Sequence, residues 1–233
     1  MSGRESQRTT SQPPEPTVAG LFVLPVEVRY RIFKLVLAVP DSLYLFQDRG
    51  SPLESFMPYK PHAWLALLYT CRRLSYEARS VLYGANRFTL EEVEIANYRS
   101  NILRSFIKGI GSVNAGFLSN LRISFPATER VHGQEGEIRL REDDLQNLQL
   151  LQNKCTGLGT LEALIYGQSC QYLITEDQDN PQFAYDLLAK IDSEFRKIAS
   201  LGTIIVRYCS GSPDSSIRDF LESMGWVVLV GGP

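Results

Sequence analysis

Along the chain, apolar and polar positions follow two regimes: helical spacing near the N-terminus, and strand–helix alternation further on. In the first, Val28, Ile32, Leu35 and Val36 recur at the period of one helix face, between Pro25 and Pro40. Pro25 suits a helix start because its missing N–H has no intrahelical partner there, and Pro40 stops the run. A second helix is predicted from about Trp64 to Tyr83, with Leu67, Cys71, Leu74, Ala78 and Val81 on one face and Gly84 as its stop. Between them, Asp41 to Ala63 holds a strand-like run, Ser42 to Phe46. Pro52, Pro58 and Pro61 then forbid any long regular element. Asn86 to Leu90 reads as a short strand able to pair with Leu43 to Phe46, closing the insertion as a small hairpin-bearing layer.

The second regime opens with a helix expected from about Arg99 to Lys108. Strand-like runs follow at Leu121 to Phe125, Leu161 to Tyr166 and Leu201 to Val206, with their leading leucines forty residues apart, and a last one spans Trp226 to Val230. Helices are expected at Asp143 to Lys154, Pro181 to Ala199 and Asp214 to Met224, their starts marked by Asp143-Asp144, Asn180-Pro181 and Ser212-Pro213-Asp214. Such alternation predicts a mostly parallel sheet of about four strands with helices packed on it. The constant spacing points to an irregular, leucine-rich-repeat-like array, and an open βα sheet fits the same strings. Residues 1–20 are polar and proline-rich and are expected to form a disordered tail.

Composition changes this picture little, with 44% hydrophobic and 21% charged residues being ordinary globular material. Charge is uneven. Leu21 to Leu90 carries nine basic and five acidic residues, net +4, and the remainder after Leu90 carries −6. The basic residues are not clustered densely enough for a nucleic-acid footprint. Tyr44, Tyr59, Tyr69, Tyr76 and Tyr83 share this lobe, but most of them fall at helical or strand spacing, which favours core and rim packing over base stacking. Cys71, Cys155, Cys170 and Cys209 are scattered without paired spacing, so neither a zinc site nor a disulfide framework is expected, and free thiols suit an intracellular, cytoplasmic or nuclear, protein. No apolar run is long enough to cross a membrane, and the first turn has no signal-peptide core.

Candidate chemistry is sparse. His62 and His132 both fall in expected loops, far apart, with no ligand or triad spacing. Lys108 to Gly116 superficially resembles a phosphate-cradling glycine loop but follows a helix, whereas a dinucleotide fingerprint follows a strand. Asp143-Asp144 and Glu176-Asp177 read as capping and solvated pairs. No catalytic residue, metal site or cofactor is expected.

The opening Leu24-Pro25-Val26-Glu27-Val28-Arg29 and the later Cys71-Arg72, Glu77-Ala78 and Leu82-Tyr83, followed by Gly84 to Phe88, resemble the F-box pattern. The match is closest to the F-box-like proteins of fungi, over about Leu21 to Phe125. The resemblance implies an F-box-like module at 21–90 that docks a Skp-family adaptor of a cullin-type ubiquitin ligase; the insertion at 41–63 departs from a compact F-box, whose helices join by a short connection, and the domain at 91–233 matches only as a general strand–helix repeat. The same resemblance implies Leu24, Pro25, Val28, Ile32, Leu35 and Leu74 as adaptor contacts, with an unknown protein as substrate. Periodicity alone leaves a second reading open, in which the same stripe is internal core of a single scaffold domain. An enzyme built on the βα sheet would need a pocket with convergent polar groups at the strand C-termini.

Overall fold

The computed structural model describes residues 20–48, 50–58, 63–91, 102–130, 138–166 and 181–232. The expected tail at 1–19, the histidines His62 and His132, Cys170, the Glu176-Asp177 pair and the start of the helix expected from Arg99 lie outside these residues.

A 3-10 turn at Leu21–Val23 leads into α1 (Val26–Leu37), and β1 (Leu43–Phe46) and β2 (Glu54–Phe56) form the hairpin expected within the insertion. A second 3-10 turn at Ala66–Tyr69 precedes α2 (Arg72–Ala85), β3 (Arg87–Glu91), α3 (Ile102–Ala115) and β4 (Asn120–Ser124). A small hairpin, β5 (Thr128–Arg130) and β6 (Ile138–Leu140), precedes α4 (Glu142–Lys154) and β7 (Thr160–Ile165). The chain then runs through α5 (Pro181–Arg196), β8 (Thr203–Tyr208), α6 (Ser215–Ser223) and β9 (Val227–Val230).

Seven strands make one sheet in the order β2-β1-β3-β4-β7-β8-β9, parallel throughout except at the β2–β1 edge. The expected count was about four. The difference lies in the N-terminal strands, which join the same sheet: β3 pairs with β4, so the sheet runs uninterrupted across residue 90. Among the described residues each parallel step is bridged by one α-helix, and successive helices α1–α2–α3–α4 and α5–α6 pack side by side. Gln152 Nε2 donates to the Glu194 carbonyl and links α4 to α5. Strands laid down in one direction by crossovers of one hand place their helices on one face.

Register shows which side chains meet those helices. Leu43, Phe88, Leu121, Leu161 and Ile204 form one cross-strand row, and two residues further along Leu45 pairs with Leu90 and Ile123 with Ala163 and Val206, all within the main hydrophobic core. The forty-residue leucine spacing survives only from Leu121 to Leu161. In the next strand Leu161 is opposite Ile204, and Leu201 sits in the preceding turn. The reason is parity: side chains alternate across a sheet, so a frame facing Leu201 inward would turn Ile204, Val206 and Tyr208 outward. Those three are 3%, 0% and 0% exposed, and burying an Ile or Val side chain contributes about 1.5–3 kcal/mol.

Local departures from the sequence reading have equally local causes. The helix expected from Trp64 begins at Arg72, because Cys71 is extended (φ −139°, ψ 162°) and Trp64 to Thr70 coils into its own short turn. It also runs through Gly84 and stops at Asn86, whose side chain accepts the role of terminator. Lys108 to Ala115 lies inside α3, which passes through Gly109 and kinks at Gly111 (φ 79°). Asp144, in the first turn of α4, accepts from the Ala127 backbone N–H at 3.0 Å. A Cβ at Gly157 would lie 2.5 Å from the Gly116 carbonyl, so this connector can approach its neighbour only as glycine.

Candidate partner-binding surface

The two segments singled out in the N-terminal sequence are α1 and the α2 region, and they are fastened to each other. Arg29 Nε and Nη2 donate to the two carboxylate oxygens of Glu77, each at 2.7 Å, and its Nη1 donates to the Leu24 carbonyl at 2.6 Å. The guanidinium therefore closes the Leu-Pro opening onto α1 and ties α1 to α2 with one planar fork. Hydrogen bonding from Arg29 holds the Glu77 carboxyl below its ordinary range against the opposing effect of burial, and Arg73 adds a weaker contact at 3.3 Å.

At the far end of the pair, Asn86 does the equivalent with neutral groups. Its Oδ1 accepts from the Val39 N–H at 2.8 Å, and its Nδ2 donates to the carbonyls of Leu37 and Leu82, also at 2.8 Å. The side chain is buried, so the terminal carbonyls of both helices have a partner where water is excluded. Tyr30 and Ser80 hydroxyls pair at 2.8 Å on the outside, and Arg73 lies 5.1 Å from the Phe22 ring centroid.

These fasteners fix which face of α1 looks outward. Arg29, Phe33 and Leu37 point inward at one-turn intervals, and both hydrophobic members are fully buried. Val28, Ile32, Leu35 and Val36 consequently lie on the flank away from the core. Leu35 is 86% exposed, Val28 39% and Val36 40%, while Ile32 is half-buried. Pro25 is exposed and Leu24 half-buried at the start of the stripe, with Val23 (77%) beside them. Among the described residues of the insertion, β1 and β2 extend the sheet rather than cover this flank.

Leu74 departs from its expected role. It is buried with Ala78, Val81 and Leu82 on the inward face of α2, so it supports the helix pair from beneath and is no surface contact. The sequence reading also passed over Arg29, Glu77 and Asn86 as fasteners. A signal existed: Arg29 shares the 29–33–37 face with Phe33 and Leu37, and a charge on an inward face calls for a partner.

The sheet face away from the helices carries a second cluster. Arg122 and Glu162 are register partners on β4 and β7, joined at 2.6 Å, and Arg207 reaches Glu162 diagonally at 2.5 Å. Arg122 and Glu162 are buried. Burial by itself would raise the Glu162 pKa, but the hydrogen bonds from Arg122 and Arg207 outweigh it and hold the carboxyl below its ordinary value. Tyr166 and Cys209 lie at the strand ends, both pushed up mainly by burial. In this triad two guanidinium groups share one carboxylate, leaving a net charge of +1, and the three side chains supply no nucleophile.

Among the described residues no group of ligating side chains is placed to hold a metal ion, and no helix is long and apolar enough to cross a membrane. No family model, curated protein or solved structure matches the chain.

Proposed function

We propose that the chain is a non-enzymatic protein-interaction module of the F-box-like kind, in which the outer flank of α1 docks a Skp-family adaptor and the parallel array receives a protein substrate for a cullin-type ubiquitin ligase. One observation carries this reading. Val28, Leu35 and Val36 form an exposed aliphatic stripe on a helix whose orientation is fixed by the Arg29–Glu77 fork, so leaving them in water has no packing explanation within the described chain. The strand order supports the array half of the reading. Its six parallel strands, β1-β3-β4-β7-β8-β9, run in one direction, and the order turns back only at β2, which a hairpin joins to β1 as an antiparallel edge.

The test is co-purification of the full chain with a Skp-type adaptor. Leu35→Asp and Val28→Asp are expected to abolish capture while thermal stability stays within about 0.5 kcal/mol, the usual range for surface substitutions. Failure of the intact protein to bind any such adaptor removes the adaptor reading. The alternative, a scaffold whose helix pair is purely structural, draws on the same Arg29–Glu77–Asn86 fastening and predicts that both variants change nothing.

A further inference from the structure

The two edges of the sheet are built differently. At one, β2 is three residues long, carries Glu54 and is held antiparallel to β1 by its hairpin. Shortness and charge keep an edge strand from recruiting another chain. At the other, β9 is four aliphatic residues in a row, with no charge, proline or bulge, and among the described residues no strand lies beyond it. Val227 is 44% exposed and Val230 50%.

Backbone direction shows what this edge offers. The Gly231 N–H donates to the Tyr208 carbonyl at 3.0 Å, so the backbone groups of Val227 and Leu229, which share its parity, also turn to β8. The N–H and C=O groups of Val228 and Val230 therefore turn outward. The Trp226 N–H, next in that row, donates to the Leu221 carbonyl at 3.1 Å, which leaves Val228 and Val230 as the template for a further strand.

Helix α6 sets what stands beside that template. Ile217 and Leu221 are its buried residues, and Phe220 meets Tyr185 of α5 with ring centroids 4.7 Å apart. At about 100° per residue, Arg218 and Glu222 fall on the opposite flank, toward the open edge. They approach each other only to 3.9 Å, with side chains 38% and 52% exposed. Asp214, on the same flank, is occupied by the Ser216 N–H and hydroxyl, each at 2.8 Å. The flank thus offers one free-standing charge of each sign, one helical turn apart.

We infer that the β9 edge pairs with the same edge of a second copy of this chain, making a two-fold dimer with one sheet running through both. A row of outward N–H and C=O groups fits an extended strand, and the charges beside it select this chain's own. Antiparallel neighbours are related by a two-fold axis perpendicular to the sheet, which keeps both helix layers on one face and sets α6 antiparallel to its copy. Arg218 then faces Glu222 of the second copy and Glu222 faces its Arg218, so the surface is complementary to itself. With Leu229 opposite its own copy, Val228 and Val230 pair across the axis through about four backbone hydrogen bonds. One strand pair flanked by two helices is smaller than an obligate interface, so the dimer is reversible, with Kd on the order of 10 µM. The edge lies at the opposite end of the helix layer from α1, and the dimer does not depend on adaptor docking.

Sedimentation equilibrium of the full chain between about 1 and 300 µM, at low salt, tests this. The expected result is a monomer–dimer equilibrium with no larger species, since a two-fold contact closes on itself. Val228→Pro removes an outward N–H and no bond to β8, so the chain should keep its far-ultraviolet circular dichroism while dimer affinity falls at least about tenfold. Arg218→Glu and Glu222→Arg change only the outer flank of α6 and decide the matter should the proline unsettle β9. Each alone is expected to weaken self-association several-fold, because like charges then meet across the axis. An equimolar mixture of the two restores both opposite-charge pairs and should return to wild-type affinity. A chain that is monomeric at about 300 µM, or association that Val228→Pro leaves unchanged in folded protein, would overturn the dimer. Single charge variants that associate as the wild type does, or a mixture no tighter than either variant alone, would overturn the two-fold pairing of α6.

Discussion

Replacing Glu162 by Gln removes the one negative charge between two guanidinium groups on the outer face of the sheet. The side chains of Arg122 and Glu162 are only 5% and 4% exposed, and that of Arg207 is 16% exposed. Arg122 has one other partner, the Ser42 hydroxyl at 3.3 Å, and cannot swing into solvent from the middle of β4. Removing one member of a buried ion pair costs about 3–5 kcal/mol, because the remaining charge stays desolvated. Arg207 can still reach water, so a loss near 3 kcal/mol is expected, equivalent to about 6–12 °C in Tm for a chain of this length.

The effect has a pH signature. The folded-state pKa of Glu162 lies below its unfolded value, so the carboxylate contributes stability above the unfolded value of about 4.5 and loses it as pH falls through the lower, folded pKa. The Gln variant has no such titration. The stability gap between wild type and Glu162→Gln should be full at pH 7 and shrink below about pH 4.5. Urea melts followed by far-ultraviolet circular dichroism at both pH values measure it, and every other carboxylate cancels in the difference. A gap under about 1 kcal/mol at pH 7, or one equal at pH 7 and pH 3.5, would refute the reasoning. Converting all three residues together to apolar side chains of similar volume should cost far less than the single change, since no orphaned charge is left.

Two further outcomes follow from single residues. Asn86→Ala leaves the Val39 N–H and the Leu37 and Leu82 carbonyls without their partner and should cost about 2–3 kcal/mol by thermal melting; a loss under about 0.5 kcal/mol would show that water replaces the amide. Cys155 is fully buried and burial pushes its thiol up to about 12, so at pH 8 iodoacetamide should label the exposed Cys71 and spare Cys155 until denaturant is added; peptide mapping showing equal labelling without denaturant would contradict this.

Much of the fold was legible in the sequence because it rests on local physics. The short apolar run at Leu43 to Phe46, the alternating residues at Leu121 to Phe125, helix-period runs at α1 and α4, and the Asp214 cap, which accepts from the Ser216 N–H at 2.8 Å, each follow from neighbouring residues alone. Boundaries failed where distant groups intervened. Asn86 extended α2 past Gly84 because its side chain finds Leu37, forty-nine positions away, and β8 slid past Leu201 because Ile204, Val206 and Tyr208 together bury more apolar surface. The stripe of α1 was visible as a period, but not its direction. A helix with hydrophobic residues at both 28–32–35 and 33–37 has two possible inward faces, and only the tertiary arrangement chooses between them. Here Phe33 and Leu37 take the core, and the Arg29–Glu77 fork, joining residues forty-eight positions apart, holds that choice. The chain's own sequence therefore determined that α1 is amphipathic; the long-range ion pair and the sheet beneath decided that Val28 and Leu35 meet the solvent.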